Sequence, residues 1–436
     1  MTVKLLVFIV VVLLGLFALK RQKFFYYKPY YNMGLILLTL CVPFSIMTSY
    51  EDSVSHTYLY ISSTLIVIAA IFIINISKSV LEFTLEHIFF ILLMADIVFM
   101  VFNVWILNHV NFINLSITYI SIYLIYLIYK SFSKVYEGYG QKIFNYFTYL
   151  AIFNGIFGIV QYITNKKLIY GRFNENIIYT EGLVKVKRAV GIAMTNNAGG
   201  NLSAILFTVV FYNYIVNRKK RDLAAVILTG IFSILTLTRI AYVAIFLSVV
   251  IYIFSYNWKS VRLTTKKLAA ILSGALAAVI LLALSWNRIY ETLFVNRGNT
   301  QGYRFIQYGN VTKYILPHVE ALKGVGLGQY RNYIYYYYKV SDIDLHTQYL
   351  NVLIEQGWLI FILFTAFNIY ILVKALKASD TAVKKAFAIS LFAVNLICSN
   401  FNPNQYYYVN NVVYYLLMFN FYMIDNKSKG FKRIEN

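Results

Sequence analysis

Long apolar blocks separated by short polar, basic connections run through almost the whole chain. A bilayer core takes about 20 apolar residues per helix. On that ruler the blocks near 3–19, 31–48, 57–76, 84–107, 111–129, 143–163, 200–216, 223–238, 240–256, 268–285, 348–373, 384–400 and 408–424 read as spans. The pattern predicts an all-α polytopic membrane protein of about 12–13 transmembrane helices, forming one integral-membrane domain over residues 1–436. The first block lacks a small-residue cleavage site and is followed by Lys20, Arg21 and Lys23, so it reads as a retained span rather than a signal peptide.

The apolar run over 223–256 is too long for one span and has Arg239 at its middle. A single helix would bury that guanidinium at the bilayer centre, at about 2.5 to 3.5 kcal/mol on insertion scales. Two helices that turn near Thr236 to Arg239 avoid the cost and place Arg239 at the membrane surface.

Composition agrees with lipid as the solvent: 60% of residues are hydrophobic and the mean hydropathy is +0.64. The formal charge of +22 is concentrated in connections. Clusters such as Lys130/Lys134/Lys142, Arg218/Lys219/Lys220/Arg221 and Lys374/Lys377/Lys384/Lys385 fall on one side if the spans alternate, and the positive-inside rule makes that side cytoplasmic. The N-terminus is then outside and the C-terminus inside. Two long connections, 164–199 and 286–347, fall on the extracytoplasmic side and are themselves basic. A basic outer surface points to an anionic ligand. Cys41 and Cys398 both lie in apolar blocks and support neither a disulfide framework nor a thiolate metal site.

Four residues converge on the predicted outer face: Arg188, Arg239, Arg304 and His346. Guanidinium forks bind phosphate bidentately and stay charged at any working pH. Histidine can take a proton from a hydroxyl near neutrality. Together they could hold a lipid diphosphate as leaving group while a base activates an acceptor alcohol. Each has a plainer reading: a helix-capping histidine, an arginine snorkelling to headgroups, solvated loop charges. Asp342 and Asp344, flanking Ile343, leave a cation site open. Glu355 lies nine residues after His346, out of helical phase with it, and reads as a brace. Asp96, alone in its span, has no partner nameable from the sequence.

The order Arg304, then Gly324-Val-Gly-Leu-Gly328, then His346-Thr-Gln-Tyr-Leu350 and Glu355-Gln-Gly357 resembles the signature of the O-antigen polymerase and O-antigen ligase superfamily of bacterial membrane glycosyltransferases. Leu235-Thr-Leu-Thr-Arg239 and Arg188-Ala-Val-Gly191 with Asn197 are similar to two further segments of that family, and the resemblance spans roughly 185–360. Thr347 and Thr238 stand where the family has Asn and Ser. The resemblance implies a metal-independent, inverting transferase without a cofactor, in the bacterial inner membrane, with its active site on the extracytoplasmic side. His346 would be the base, with Arg239, Arg188 and Arg304 on the diphosphate. Donor and acceptor would be undecaprenyl-diphosphate-linked oligosaccharides destined for O-antigen or capsular polysaccharide. A chain-length regulator, a flippase and membrane lipids are the implied partners; nucleic acid is not. A ligase acting on lipid A core, and a transporter or flippase of the same lipid-linked sugars, remain open alternatives.

Overall fold

The computed structural model describes residues 30–41, 45–51, 56–76, 84–131, 138–169, 172–181, 184–255 and 300–424. The predicted spans at 3–19 and 268–285 lie outside them. Among the described residues the elements are α1 (Tyr30–Cys41), β1 (Ser45–Glu51), β2 (His56–Ser62), α2 (Ser63–Ile76), α3 (Leu85–Asn103), α4 (His109–Lys130) and α5 (Tyr139–Thr164). A ribbon of β3 (Ile178–Glu181) and β4 (Val184–Lys187) follows, then α6 (Asn196–Asn217), α7 (Lys220–Thr236) and α8 (Arg239–Ser255). The last part holds α9 (Thr300–Asn310), α10 (Tyr330–Tyr338), α11 (Gln348–Gln356), α12 (Trp358–Ala378), α13 (Ala382–Phe401) and α14 (Tyr408–Phe419). Six of these, α3, α4, α5, α6, α12 and α13, are long and apolar enough to cross a membrane. The protein is an all-α polytopic membrane protein.

The bundle is built around α6, which packs on α5, α7, α8, α13 and α14 and is buried along nearly its whole length. Thr195 caps its start, the side chain accepting from the Ala198 N–H at 3.3 Å. Outer helices leave large apolar side chains exposed on one face, including Ile91, Val98 and Phe102 of α3 and Ile362 and Ile369 of α12. In a membrane protein such a face meets lipid rather than water.

Successive helices run up and down, so two ends can be told apart. At one end Glu86, in the first turn of α3, pairs with Lys374 near the end of α12 at 2.6 Å, and Tyr422 donates to the same carboxylate. Arg221 reaches Asn145 and Tyr149 on α5 at this end too. Among the described residues, Lys374 and Arg221, each from one of the basic clusters, are thus engaged at the same end. At the other end lie the α7–α8 turn, the start of α6 and the long segment 300–347.

Three features depart from the hydropathy reading. The block at 31–48 is not one helix: α1 stops at Cys41, and Ser45–Glu51 pairs antiparallel with His56–Ser62, Ser45 opposite Ser62. Pro43 lacks the N–H that would continue the helical ladder. The block at 348–373 is broken at Gly357, whose φ of +89° only glycine adopts readily. A side chain there would meet the Lys323 nitrogen at 2.8 Å and the Glu320 carbonyl at 2.9 Å. The connection 164–199 holds the β3–β4 ribbon, Ile178 opposite Lys187. The break foreseen at Arg239 is present: α7 ends at Thr236, Leu237 turns through a φ of +51°, and α8 starts at Arg239.

Candidate active site

The turn between α7 and α8 is held from below by Arg188. This residue directly follows β4, and its own N–H bonds to the Ile177 carbonyl at 2.9 Å. Only 2% of its surface is exposed. The Nε donates to the Thr236 carbonyl at 2.7 Å, and Nη2 lies 3.1 Å from both Thr238 Oγ1 and Asn197 Oδ1. The next residue, Ala189, bonds through its N–H to the Leu235 carbonyl at 2.9 Å. Thr238 in turn donates to the Asn196 carbonyl at 3.1 Å, fastening the turn to the start of α6. Arg239, half-buried, leaves this fixed turn as the first residue of α8.

The second wall is α9 and the segment carrying His346. Arg304, Gln307 and Tyr308 stand at i, i+3 and i+4 on α9 and so share one face. The Gln307 Oε1 lies 3.2 Å from His346 Nδ1, Tyr308 OH lies 3.1 Å from Thr347 Oγ1, and the Arg304 guanidinium sits 5.7 Å from the centre of the Phe401 ring. Burial pushes the His346 imidazole down to about 4, with the nearby Arg304 charge acting the same way against Asp342 and the Asp344 carbonyl. Both effects disfavour the imidazolium, so His346 is a neutral ring at neutral pH. Asp342 accepts from Gln307 (3.0 Å), Asn310 (3.2 Å) and the Tyr330 hydroxyl (2.7 Å). Burial raises the pKa of Asp344.

Glu355 is a brace. Its carboxylate accepts from the Gly328 N–H at 2.7 Å, the Tyr330 N–H at 3.1 Å and Asn351 Nδ2 at 2.8 Å. The backbone of the same loop docks on α11, Val325 N–H to the Ile354 carbonyl and Gly326 N–H to the Glu355 carbonyl. The Gly-x-Gly segment therefore sits on the Glu-x-Gly segment. Gly324 is needed because a side chain there would run into the α11 backbone at Ile354 and Glu355. Asp96 finds its partner in Gln356, at 2.8 Å.

One group of residues escaped the sequence reading. The end of α13, its connection to α14 and the first turn of α14 carry Asn400, Asn402, Asn404, Gln405, Asn410 and Asn411. Asn404 links to Asn201 of α6 (3.2 Å) and to Gln348 of α11 (3.4 Å), while Asn402 donates to Asn201 at 2.7 Å. Gln405 reaches the Leu345 carbonyl, and Thr347 donates to the Asn400 carbonyl at 3.2 Å. This amide network joins the α6 start, which holds the Arg239 turn, to the segment that carries His346. Six amide residues in twelve positions, set between two apolar blocks, were the available signal. Uncharged amides add nothing to a charge count, which is why they passed as the ends of two spans and the short loop between them.

The structure thus brings Arg188, the Arg239 turn, Arg304 and His346 to one end of a polytopic helical membrane protein, in two walls joined by buried amides. Residues 224–365 match the family model described as O-antigen ligase, consistent with the O-antigen polymerase and ligase superfamily. The matched stretch contains Arg239, Arg304, Gln307, His346 and Glu355, and leaves out Arg188 and the amide-rich connection. It supports an O-antigen polymerase or ligase type of function, that of a membrane glycosyltransferase. Comparison with curated proteins gives no match.

Proposed function

We propose that the protein polymerises undecaprenyl-diphosphate-linked oligosaccharide repeat units into O-antigen or capsular polysaccharide at the outer face of the bacterial inner membrane. The observation that carries this reading is the pairing of a neutral, half-buried His346 with Arg304 across one face of α9. A neutral imidazole takes the proton from an acceptor sugar hydroxyl as that oxygen attacks the anomeric carbon of the donor. The new glycosidic C–O bond forms as the anomeric carbon–diphosphate bond breaks on the opposite side, which inverts the configuration. The electron pair leaves on undecaprenyl diphosphate. Arg239 and Arg304 take up the diphosphate charge, the role a divalent cation has in other transferases. Arg188, read from the sequence as a third ligand, serves by holding the Arg239 turn.

Purified protein in liposomes given lipid-linked repeat units alone is expected to yield a ladder of products, with and without a chelator. His346→Ala should abolish the ladder while the protein inserts normally. Product that forms only after a lipid A core acceptor is added would replace the polymerase with a ligase. An unchanged ladder in His346→Ala would remove the base assignment.

A further inference from the structure

Gln307 is 1% exposed and every polar atom of its amide is engaged. The nitrogen donates to Asp342 Oδ1 at 3.0 Å, to the Ile343 carbonyl at 3.0 Å and to the Asp344 carbonyl at 3.4 Å. All three are acceptors, so the NH2 end of the amide has to face them; the reversed amide would set oxygen against oxygen three times. That orientation turns Oε1 toward His346 Nδ1, 3.2 Å away. A carbonyl oxygen only accepts, so the proton of the neutral ring resides on Nδ1.

We propose that Gln307 is a positioning residue that fixes the tautomer of His346, placing the proton on Nδ1 and the basic lone pair on Nε2. The consequence for the reaction is directional. Nε2 is the nitrogen remote from the backbone, so the proton acceptor stands at the tip of the ring rather than against its own main chain. Gln307 does this without charge. A carboxylate in its place would raise the basicity of the ring but would stand against Asp342. An amide orients the imidazole and leaves its proton affinity to burial, to Arg304 on the same helix and to Asp342 and Asp344 on the histidine's own segment. The amide is oriented by a segment with other anchors: Asp342 is also held by Asn310 and Tyr330. The Asp344 carbonyl also accepts from the ring, so removing the Gln307 amide relaxes the tautomer constraint without abolishing it, while the segment keeps its seat.

The inference rests on the reading of His346 as the base, and its test separates the two. The chain has five histidines. With 15N-labelled histidine, the His346 signals are identified by their loss in His346→Ala, and nitrogen shifts at pH 7.5 report which ring nitrogen carries the proton. Wild-type protein is expected to show a protonated Nδ1 and an unprotonated Nε2. Gln307→Met, close in volume but without an acceptor, should shift the population toward protonated Nε2. It should also lower the polymerisation rate about tenfold or more, with the KM for the lipid-linked donor changed less than about threefold. A wild-type ring protonated at Nε2, or the same tautomer in Gln307→Met, overturns the proposal. The wild-type measurement stands even if the variant does not fold. Full activity in His346→Ala instead overturns the catalytic reading, whatever the tautomer.

Discussion

The Arg188 Nε meets the Thr236 carbonyl at 2.7 Å, so a residue at the end of a surface ribbon closes the turn from which Arg239 projects. Arg188→Ala leaves the Thr236 and Leu237 carbonyls and Asn197 without this donor. Each buried acceptor so orphaned costs about 1–3 kcal/mol. The variant should unfold at lower temperature in detergent and lose activity together. A residue that only bound diphosphate would lower activity with no change in melting, and that outcome would contradict the buried role.

Arg239→Lys and Arg304→Lys keep the charge and lose the fork. Hydrogen bonds to charged groups contribute about 1.5–3 kcal/mol each, so either change is expected to slow transfer about 10- to 100-fold at unchanged protein level. Single-turnover rates with a defined lipid-linked donor check this; wild-type rates in both would exclude bidentate binding.

With its pKa near 4 against an ordinary 6.5, His346 stays unprotonated well into acid. The rate should hold from neutrality down to about pH 5 and fall as pH approaches 4. An acid limb centred on 6.5 would contradict the burial of the ring. The same shift bears on stability. Between 6.5 and 4 the unfolded chain binds a proton that the folded ring refuses, so the contribution is full above 6.5 and is lost as pH falls through that window.

Glu355→Ala removes one acceptor from three donors, the Gly328 and Tyr330 N–H groups and Asn351. Burial pushes the Glu355 carboxyl up to about 8, so the expected loss is that of buried donors left without an acceptor, about 1–3 kcal/mol each. Limited proteolysis should cut between residues 324 and 338 in the variant and spare the wild type; equal resistance would mean the loop is held by its backbone bonds alone.

What could be read from the sequence followed the cost of burying charge. Arg239 in the middle of an apolar run forced a turn, and the turn is there. Lysines and arginines set the alternation of the spans, and Glu355 was a brace by helical phase alone. Hydropathy, being a sum over side chains, does not register where the backbone breaks. The run through Gly357 therefore looked like one helix, and the pairing of Ser45–Glu51 with His56–Ser62 looked like the ends of two. Amides carry no charge and no period. Gln307 and the residues around Asn404 became visible only when their partners, distant in sequence, were placed beside them. Arg188 was picked out for its charge, while its guanidinium meets the Thr236 and Leu237 carbonyls and the Asn197 and Thr238 side chains.

The gap at Gly357 gives the segment before α10 a seat made of main chain. Trp358 and Leu359 donate to the carbonyls of Glu320 and Ala321, while Ile354 and Glu355 accept from Val325 and Gly326. Beside this main-chain seat, the side chains that hold the loop are few: Glu355 accepts from the Gly328 N–H, and the Gln329 amide bonds both ways to the Asn108 backbone at 2.7 and 2.9 Å. The exposed side chains of Ala321 and Leu322 are thus free to vary without unseating the loop. Substitutions there can re-dress this surface and leave the main-chain frame beneath it in place.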